Sequence, residues 1–410
     1  MVKPSPMAKR YPPPPPPPPR HLRAPVEKSS SAAVITLVFG ILGFCVPILA
    51  IAAIICGHIS LSDSTKTPGG RPGRGMALGG LTLGYLGLIV WGICVMVMVV
   101  SSKKSAAESA SLFPVGQEPI PTFPTLPDFT TLQPSGVRVG QVRLQGSGPG
   151  GGMTLRVYLP AGESPAKGSL PCVLTAPAGS NLIQGNGVEP LDEDAYHDES
   201  LPYAEAGMVV VLYSIDGETG EEEEEDETEQ VEAMSQAYEE FRAAQAGVVN
   251  GRNALEFALA RLPMVDPGRI YSAGHSSAGT LSLLLAAHEK RLKGCIAYAP
   301  CGDVSHFHER LLSESGVSLY FKEIRSFLKR SSPVTHLASL DLPVFLFQSK
   351  DDTVARYAEA QAFYQKAKQV ASERALPKSD LTFKVVPKGG HYDSMIEAGI
   401  PAAIDWIKEH

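Results

Sequence analysis

The sequence has few cysteines, few tryptophans and no excess of positive charge. Only 6 of its 410 residues are cysteine and 2 are tryptophan, and the formal net charge is −7. No two cysteines form a C-x-x-C pair, so we expect neither a disulfide framework nor a cysteine-rich metal site. Cys172 and Cys295 lie in apolar, strand-like runs and are predicted to be buried thiols. The negative charge argues against nucleic acid as a partner.

Two long apolar runs dominate the first hundred residues. Residues 32–56 and 76–100 contain no charged side chain, and each run exceeds the roughly 20 residues that a helix needs to cross a bilayer. Both are too long for a cleaved signal peptide. The sequence therefore predicts a two-pass transmembrane hairpin within residues 31–101, with the lipid bilayer as a partner. Gly80 and Gly84 form a small-xxx-small step that allows two helices to approach closely.

Basic residues on either side of these runs indicate an orientation. Five flank the hairpin and three lie in its connecting loop, which favours cytoplasmic termini and a cytoplasmic C-terminal domain. The flanking residues are Arg20, Arg23, Lys28, Lys103 and Lys104, and those in the loop are Lys66, Arg71 and Arg74. The run from Gly57 to Gly87 resembles a two-helix domain of unknown function found at the front of many bacterial membrane proteins. The resemblance covers about residues 32–100 and implies an anchor.

Two segments beside the hairpin are rich in proline. Residues 1–30 include the uninterrupted run Pro12–Pro19, which predicts a disordered, polyproline-type tail; docking of this tail into an aromatic groove is the alternative. Residues 102–135, rich in serine, proline and threonine, predict a linker. Because no candidate catalytic residue precedes Leu126, we expect a chain that starts near this residue to be soluble and active.

Residues 136–410 alternate between strand-like and helix-like segments. This alternation predicts an α/β domain with a mostly parallel sheet flanked by helices. Predicted strands are 137–144, 153–159, 171–175, 208–213, 269–273, 294–298, 344–348 and 381–386, and a helical stretch covers 231–262. The acidic run 221–229 predicts a solvated loop or helix start.

A serine motif stands between a predicted strand and a predicted helix. Gly274-His275-Ser276-Ser277-Ala278-Gly279 has the form of a G-x-S-x-G elbow in which alanine replaces the second glycine. In such an elbow, small flanking residues let the backbone turn sharply and expose the serine hydroxyl. The strand before the motif and the helix after it supply the context that the motif requires.

A serine nucleophile needs a basic histidine and an acid that orients it, and both candidates follow Ser276 in the chain. Asp351 and Asp352 come at the end of the predicted strand 344–348, and His391 follows the last predicted strand after two glycines. The carboxyl ends of parallel strands are where such sheets bind ligands. Asp351 is our predicted acid, and Asp352 competes with it.

Several motifs together resemble one known group of enzymes. Residues 265–270, the GHSSAG elbow, residues 332–334, residues 342–344 and the D-x-x-V segment 351–354 resemble the catalytic domain of the prolyl oligopeptidase and dienelactone hydrolase group. The resemblance covers about residues 135–408. It implies an α/β-hydrolase fold and a triad of Ser276, His391 and an acid three residues before Val354, which is Asp351.

The sequence departs from the prolyl oligopeptidases in two respects. No segment between Val100 and Val137 has room for the β-propeller that usually restricts access to short peptides. In addition, the loop after the predicted strand 171–175 contains Gly179 and Ser180 where these peptidases tend to offer a tyrosine. Gly179, Ser180 and Ser277 are the predicted backbone donors of an oxyanion hole.

The leading hypothesis is a serine hydrolase that cleaves a small carboxylic ester or thioester through an acyl-enzyme. The alternatives are a peptidase of the prolyl oligopeptidase type, which would take a short peptide, and an inactive hydrolase fold that serves as a binding scaffold. No cofactor or metal is expected. His306 and His308 lack further ligands at metal-binding spacing, and we assign them to a cap segment, residues 303–329, that shapes the substrate pocket.

Overall fold

The computed structural model describes residues 31–43, 46–65, 73–109, 113, 116, 118–162, 165–191, 197–219 and 227–410. The chain divides into two compact units, Met1–Ser105 and Ala106–His410, and each is described by itself. The proline-rich tail 1–30 and the acidic residues 221–226, about which the sequence makes predictions, lie outside the described residues.

Among its described residues, the first unit contains α1 (Ser31–Leu42), α2 (Pro47–Thr65) and most of α3 (Arg74–Ser109), which continues past the unit boundary at Ser105. By length and composition one helix among the described residues, Arg74–Met98, is long and apolar enough to cross a membrane, and the other two apolar helices are shorter. The expected single span at 32–56 is thus replaced by two helices. The second one begins at Pro47, a residue that suits a first helical turn because it lacks an N–H group.

Glycines let the helices of this unit approach closely, as predicted. A Cβ atom on Gly80 would lie 2.4 Å from the carbonyl oxygen of Thr36 on α1. One on Gly84 would lie 3.0 Å from the carbonyl oxygen of Ala50 on α2. Only a residue without a side chain fits the Gly80 contact, because real Cβ atoms do not approach backbone atoms so closely.

The second unit contains a nine-stranded sheet in the order β1-β2-β3-β5-β4-β6-β7-β8-β9. Strands β1 to β3 pair antiparallel, as do β3 and β5, and all the pairs from β5-β4 to β8-β9 are parallel. This confirms the predicted mostly parallel sheet. The strands are β1 (Thr130–Thr131), β2 (Arg138–Arg143), β3 (Thr154–Leu159), β4 (Leu170–Thr175), β5 (Val209–Tyr213), β6 (Val265–His275), β7 (Gly294–Tyr298), β8 (Val344–Ser349) and β9 (Leu381–Val386).

Helices follow most of these strands. The predicted helical stretch 231–262 is interrupted, because Gln245, Ala246 and Gly247 all have positive φ angles. The expected cap segment folds as four short helices, α8 to α11. The helices of this unit are α4 (His197–Glu205), α5 (Glu227–Ala243), α6 (Val248–Arg261), α7 (Ser276–His288), α8 (Val304–Phe307), α9 (Glu309–Ser313), α10 (Val317–Tyr320), α11 (Ile324–Arg330), α12 (Tyr357–Arg374) and α13 (Ile400–Glu409).

The sheet separates two parts of the hydrophobic core. Along β4, Cys172 and Leu174 belong to one part, while Val173 between them belongs to the other. This alternation follows from the two-residue period of a strand. Cys172 and Cys295 are free thiols with no exposed surface, which confirms the prediction for both.

Part of the predicted linker 102–135 packs on the second unit. The amide of Phe113 donates a hydrogen bond to Nε2 of His288 at 3.1 Å, and the Phe113 side chain is buried. Further along, Arg252 donates to the carbonyl oxygens of Glu118 and Pro119. We call the described residues from 113 to 129 the docked segment. Its buried ring and satisfied carbonyls make it part of the folded unit rather than a spacer.

Candidate active site

The predicted serine elbow is present at the carboxyl end of β6, the fourth strand from the β9 edge. Strand β6 ends at His275, helix α7 begins at Ser276, and Ser276 has a φ angle of 54°. This left-handed conformation is strained for a residue with a side chain. A Cβ atom on Gly274 would lie 2.4 Å from the carbonyl oxygen of Ala278, so the turn requires glycine there. The strand–turn–helix context of the motif is confirmed.

His391 follows β9 on a loop that two glycines shape. Gly389 and Gly390 have φ angles of 121° and 63°, respectively. A Cβ atom on Gly389 would also lie 2.7 Å from Cβ of Ser394. His391 and Ser276 line the same cavity. The structure therefore brings the predicted base and the predicted nucleophile to one site.

The acid that contacts the histidine is Asp352, not the predicted Asp351. Nδ1 of His391 lies 2.8 Å from Oδ2 of Asp352, whose side chain has no exposed surface. The turn after β8 directs Asp352 inward, because Oδ1 of Asp352 accepts hydrogen bonds from the amides of Val354 and Ala355 at 2.8 and 2.9 Å. Gln348 donates to Oδ2 at 2.9 Å.

These hydrogen bonds keep the buried carboxylate of Asp352 ionised. Burial alone would raise its pKa, but the hydrogen bonds from His391 and from the amides of Val354 and Ala355 outweigh burial and lower the pKa below its ordinary value. The ionised carboxylate accepts a hydrogen bond from Nδ1–H of His391. As a result, Nε2 is the ring nitrogen left with a lone pair.

The carboxylate of Asp351 binds the backbone of the loop that carries His391. It accepts hydrogen bonds from the Ser349 hydroxyl at 2.6 Å and from the amides of Gly390 and Gly389 at 2.9 and 3.3 Å. The hydrogen bond from Ser349, followed by that from Gly390, lowers the pKa of Asp351. The two adjacent acids thus have separate contacts, one with the imidazole ring and one with the loop that carries it.

Two more contacts with this loop are not foreseen by the motifs. Nε2 of His275, within the elbow, lies 3.0 Å from the carbonyl oxygen of His391. Burial, together with the neighbouring His391, lowers the pKa of His275 to about 4, so a neutral ring with its proton on Nε2 makes this hydrogen bond. Tyr392 donates from its hydroxyl to Asp198 on α4. His275 occupies a variable position of the elbow pattern, which explains why the motif does not single it out.

The predicted oxyanion-hole residues lie around Ser276. Gly179, Ser180 and Ser277 all line the cavity that contains Ser276 and His391. Gly179 has a φ angle of 95°, and Asn186 supports the loop by donating to the carbonyl oxygen of Ala178 at 2.5 Å. The amide of Ser180 donates to Oγ of Ser277 at 3.2 Å, a contact that sequence reasoning missed.

The cavity at Ser276 has a volume of about 290 Å³. Its apolar wall includes Leu182, Phe307 and Val354, and its rim carries Arg356 and Glu359, which form an ion pair at 2.8 Å. Phe307 on α8 places the cap at the cavity, as the sequence predicts. A larger cleft of about 590 Å³, elsewhere in the unit, is lined by none of the candidate catalytic residues.

The two cap histidines are engaged by other groups. Nδ1 of His306 lies 3.6 Å from Glu309, and Nε2 of His308 lies 2.7 Å from the carbonyl oxygen of Asn181. Within the described residues, no three histidine, cysteine, aspartate or glutamate side chains are grouped so as to hold a metal ion.

Comparisons with protein families match both parts of the chain. The model of the prolyl oligopeptidase family matches residues 196–410, and that of a domain of unknown function, DUF4190, matches residues 32–94. The search of curated proteins finds no match.

Solved structures similar to this chain include both esterases and peptidases. An S-formylglutathione hydrolase from Agrobacterium tumefaciens is 17% identical with a TM-score of 0.50, and the match covers 70% of this chain and 99% of that one. An acetyl xylan esterase from Paenibacillus sp. R4 is 16% identical with a TM-score of 0.48, covering 74% and 92%. The acylaminoacyl peptidase of Pyrococcus horikoshii is 16% identical with a TM-score of 0.46, covering 68% and 41%. The first of these supports the α/β-hydrolase fold.

Proposed function

Because the chain belongs to the prolyl oligopeptidase family, we propose that it is a serine hydrolase whose triad is Ser276, His391 and Asp352. The observation that carries this proposal is the 2.8 Å contact between His391 Nδ1 and the buried Asp352 carboxylate. Ser276 stands on a strained elbow in the same cavity as His391. A nucleophile, a base and an orienting acid are the three groups that acyl transfer requires.

The proposed reaction begins at the Ser276 hydroxyl. Nε2 of His391 accepts the hydroxyl proton while Oγ of Ser276 attacks the substrate carbonyl carbon. The imidazolium that forms is stabilised by Asp352, which keeps its negative charge throughout. The same Nε2–H then protonates the leaving group, and an acyl-Ser276 ester remains. Water activated by His391 hydrolyses this ester and regenerates the serine.

The carbonyl oxygen becomes negatively charged in each tetrahedral intermediate and needs hydrogen-bond donors. The amide of Ser277 and an amide of the Gly179–Ser180 loop are the donors we propose. The existing hydrogen bond between Ser180 and Ser277 Oγ holds this loop against the elbow.

We propose a carboxylic ester or thioester as the substrate, with a peptide as the second candidate. Only 36 residues lie between Val100 and Val137, and they include the docked segment, so they leave no room for a propeller that would admit peptides selectively. The cavity offers an apolar wall and an Arg356–Glu359 ion pair, which suits a small acyl group.

Membrane anchoring belongs to the same proposal. Helix α3 contains an apolar stretch long enough to cross a bilayer. We propose that α3 tethers the hydrolase unit to a membrane. Helices α1 and α2 fold back on each other, because a Cβ atom on Gly43 would lie 2.8 Å from Cα of Ala50 and one on Gly57 would lie 3.2 Å from Cγ2 of Thr36, so the two do not form one continuous pass.

The test combines active-site labelling with a substrate panel. Full-length protein in detergent would be treated with a fluorophosphonate and then assayed on p-nitrophenyl esters, a thioester and aminoacyl-peptide anilides. We expect a label on Ser276 and faster cleavage of esters than of anilides. A protein that takes no label and cleaves none of them would be a binding scaffold, and preferential cleavage of anilides would identify a peptidase.

A further inference from the structure

A second cavity adjoins the candidate active site. It has a volume of about 360 Å³ and shares two lining residues, Cys301 and Glu359, with the cavity at Ser276. Ligand sites commonly have volumes of about 300–1,000 Å³. The catalytic cavity alone lies just below this range, and the two cavities together fall within it.

One face of α12 runs along both cavities. Ala358, Glu359, Ala362, Phe363 and Lys366 line the second cavity, and their spacing places them on one side of the helix. Arg356, immediately before α12, lines the first cavity and pairs with Glu359 at their junction. The helix therefore forms a common wall that leads away from Ser276.

Part of the second cavity suits an uncharged group. Its apolar lining consists of Val334, Phe363 and the small side chains of Ala358 and Ala362, and its polar lining includes Asp303, His306, Glu359 and Lys366. The nearby carboxylates have partners already: Asp303 accepts from the His306 amide at 3.1 Å, and Glu359 pairs with Arg356. Lys366 stands at the far end of the α12 face, where an ammonium group can remain in water.

We propose that this second cavity is a subsite for an extended, apolar part of the substrate, such as an alkyl chain of medium length. The inference rests on the proposed esterase function, because it assumes that the substrate carbonyl lies at Ser276. A short acyl group fills the first cavity alone. A longer chain passes between Cys301 and Glu359 and lies along α12 against Ala358 and Ala362.

The test compares chain length with the volume of the subsite. Full-length protein would be assayed on two ester series, p-nitrophenyl acylates from acetate to octanoate and acetates of alcohols from methanol to octanol. We expect kcat/KM to rise about tenfold or more with length in one series, since burial of each methylene group is favourable. That series identifies whether the acyl or the alcohol side occupies the subsite.

Ala362→Trp should fill the subsite and remove this dependence on length, while p-nitrophenyl acetate and methyl acetate, the shortest esters of the two series, are still cleaved. Lys368→Trp is the matched control, because Lys368 is exposed on the same helix, lies over the Tyr364 ring and lines neither cavity. Ala358→Phe provides a second, smaller obstruction if Ala362→Trp does not fold.

The inference is overturned if neither series depends on length, or if the dependence survives Ala362→Trp and Ala358→Phe. Such a result, with acetate still cleaved, leaves the proposed function intact. Wild-type protein that cleaves no ester of either series contradicts the proposed function itself.

Discussion

The elbow after β6 and the turn after β8 each deliver one candidate catalytic residue, but different forces determine which residue it is. At the elbow, a side chain on Gly274 would collide with the Ala278 carbonyl oxygen, so steric exclusion places Ser276 at the apex. At the turn, Asp351 and Asp352 are chemically identical. Hydrogen bonds from the amides of Val354 and Ala355 select Asp352 for the buried position.

This difference explains why a motif locates one residue and not the other. A tight turn can be recognised in a sequence from its small residues, because larger residues cannot occupy it. Hydrogen bonds from backbone amides cannot be recognised in this way, because every residue except proline has an amide N–H group. Elbow positions can therefore be predicted from composition, whereas the choice between adjacent acids depends on the conformation of a few backbone atoms.

The largest expected effect is at the elbow. Ser276→Ala removes the nucleophile, and we expect kcat to fall by about 10⁴–10⁶, because members of a triad act as a unit. The fold should persist, since alanine removes only the hydroxyl. Ester turnover, fluorophosphonate labelling and the unfolding temperature would be measured together. A serine other than Ser276 that still takes the label would contradict the assignment.

The second prediction contrasts the two acids of the turn. Asp352→Asn should lower kcat by about 10³–10⁴, because an amide favours the wrong tautomer of His391 and cannot stabilise its charged form. Asp351→Asn retains an oxygen that can accept from the Gly390 amide, so we expect a loss below about tenfold. Both variants would be assayed on one activated ester between pH 5 and 9.

The outcome discriminates among three arrangements. A larger loss in Asp351→Asn restores the acid that the D-x-x-V resemblance implies. Equal and small losses in the two variants indicate a Ser–His pair without an acid. Only the predicted order supports the hydrogen bond seen between Asp352 and His391.

Much of the second unit could be predicted from the sequence. The apolar runs around Leu174, Val211 and Phe345 predict buried parallel strands, because strands covered on both faces are apolar throughout. The pattern does not predict the break in the helical stretch at Gln245–Gly247. Positive φ angles at Gln245 and Ala246 arise from tertiary packing, which overrides local preference.

The docked segment could not be recognised from composition. Its proline and serine content is that of a linker, yet Phe113 is buried against His288, Phe327 and His336. A single aromatic residue in a polar stretch provides too weak a signal to predict docking. Similarly, the resemblance assigns the acid to Asp351 because this residue lies three positions before Val354. In the structure, Asp352 accepts hydrogen bonds from the amides of the residues two and three positions later in the chain.

The third prediction concerns the far end of the elbow helix. Helix α7 begins at Ser276 and ends at His288, where Phe113 docks. Phe113→Ala should lower the free energy of unfolding by about 3–5 kcal/mol, the usual cost of removing a buried phenylalanine. Ester turnover at 20 °C should change less than about threefold, because no catalytic contact is lost. Chemical denaturation would be followed by the fluorescence of Trp406.

Truncation tests the same contact more strongly. A chain starting at Leu126 lacks Phe113 and the Glu118 and Pro119 carbonyls that Arg252 binds, so it should be less stable than a chain starting at Ala106. The sequence alone predicts a soluble, active unit from Leu126 onward. Equal stability of the two chains would support that prediction and contradict a structural role for the docked segment.

The fourth prediction concerns pH. Burial lowers the pKa of His275 and of His288 to about 4, whereas both groups titrate near about 6.5 in an unfolded chain. Between these values the unfolded chain binds protons that the folded unit does not, so stability should fall as the pH decreases from about 6.5 to 4. Above this window the two histidines contribute no pH dependence.

This behaviour is measured as the unfolding temperature at pH 7.5, 6 and 5. We expect a fall of several degrees between the first and the last value. In His288→Gln, where the amide can still accept from Phe113, the fall should be smaller. An unfolding temperature that does not change over this range would show that the two rings are accessible to protons.

The smallest expected effect separates the Ser277 hydroxyl from its amide. The amide is a proposed oxyanion donor and remains in Ser277→Ala, whereas the hydroxyl, which accepts from the Ser180 amide at 3.2 Å, is lost. The loop of Gly179 and Ser180 keeps its support from Asn186, so its mean position should change little. We expect kcat to fall about three- to tenfold and KM to stay within about twofold, because a hydrogen bond between neutral groups contributes only modestly.

Ser277→Thr, which restores a hydroxyl, should recover most of the activity. A loss of about a hundredfold or more in Ser277→Ala, not recovered by threonine, would be comparable to removing an oxyanion donor itself and would show that the elbow depends on hydrogen bonding as much as the turn after β8 does.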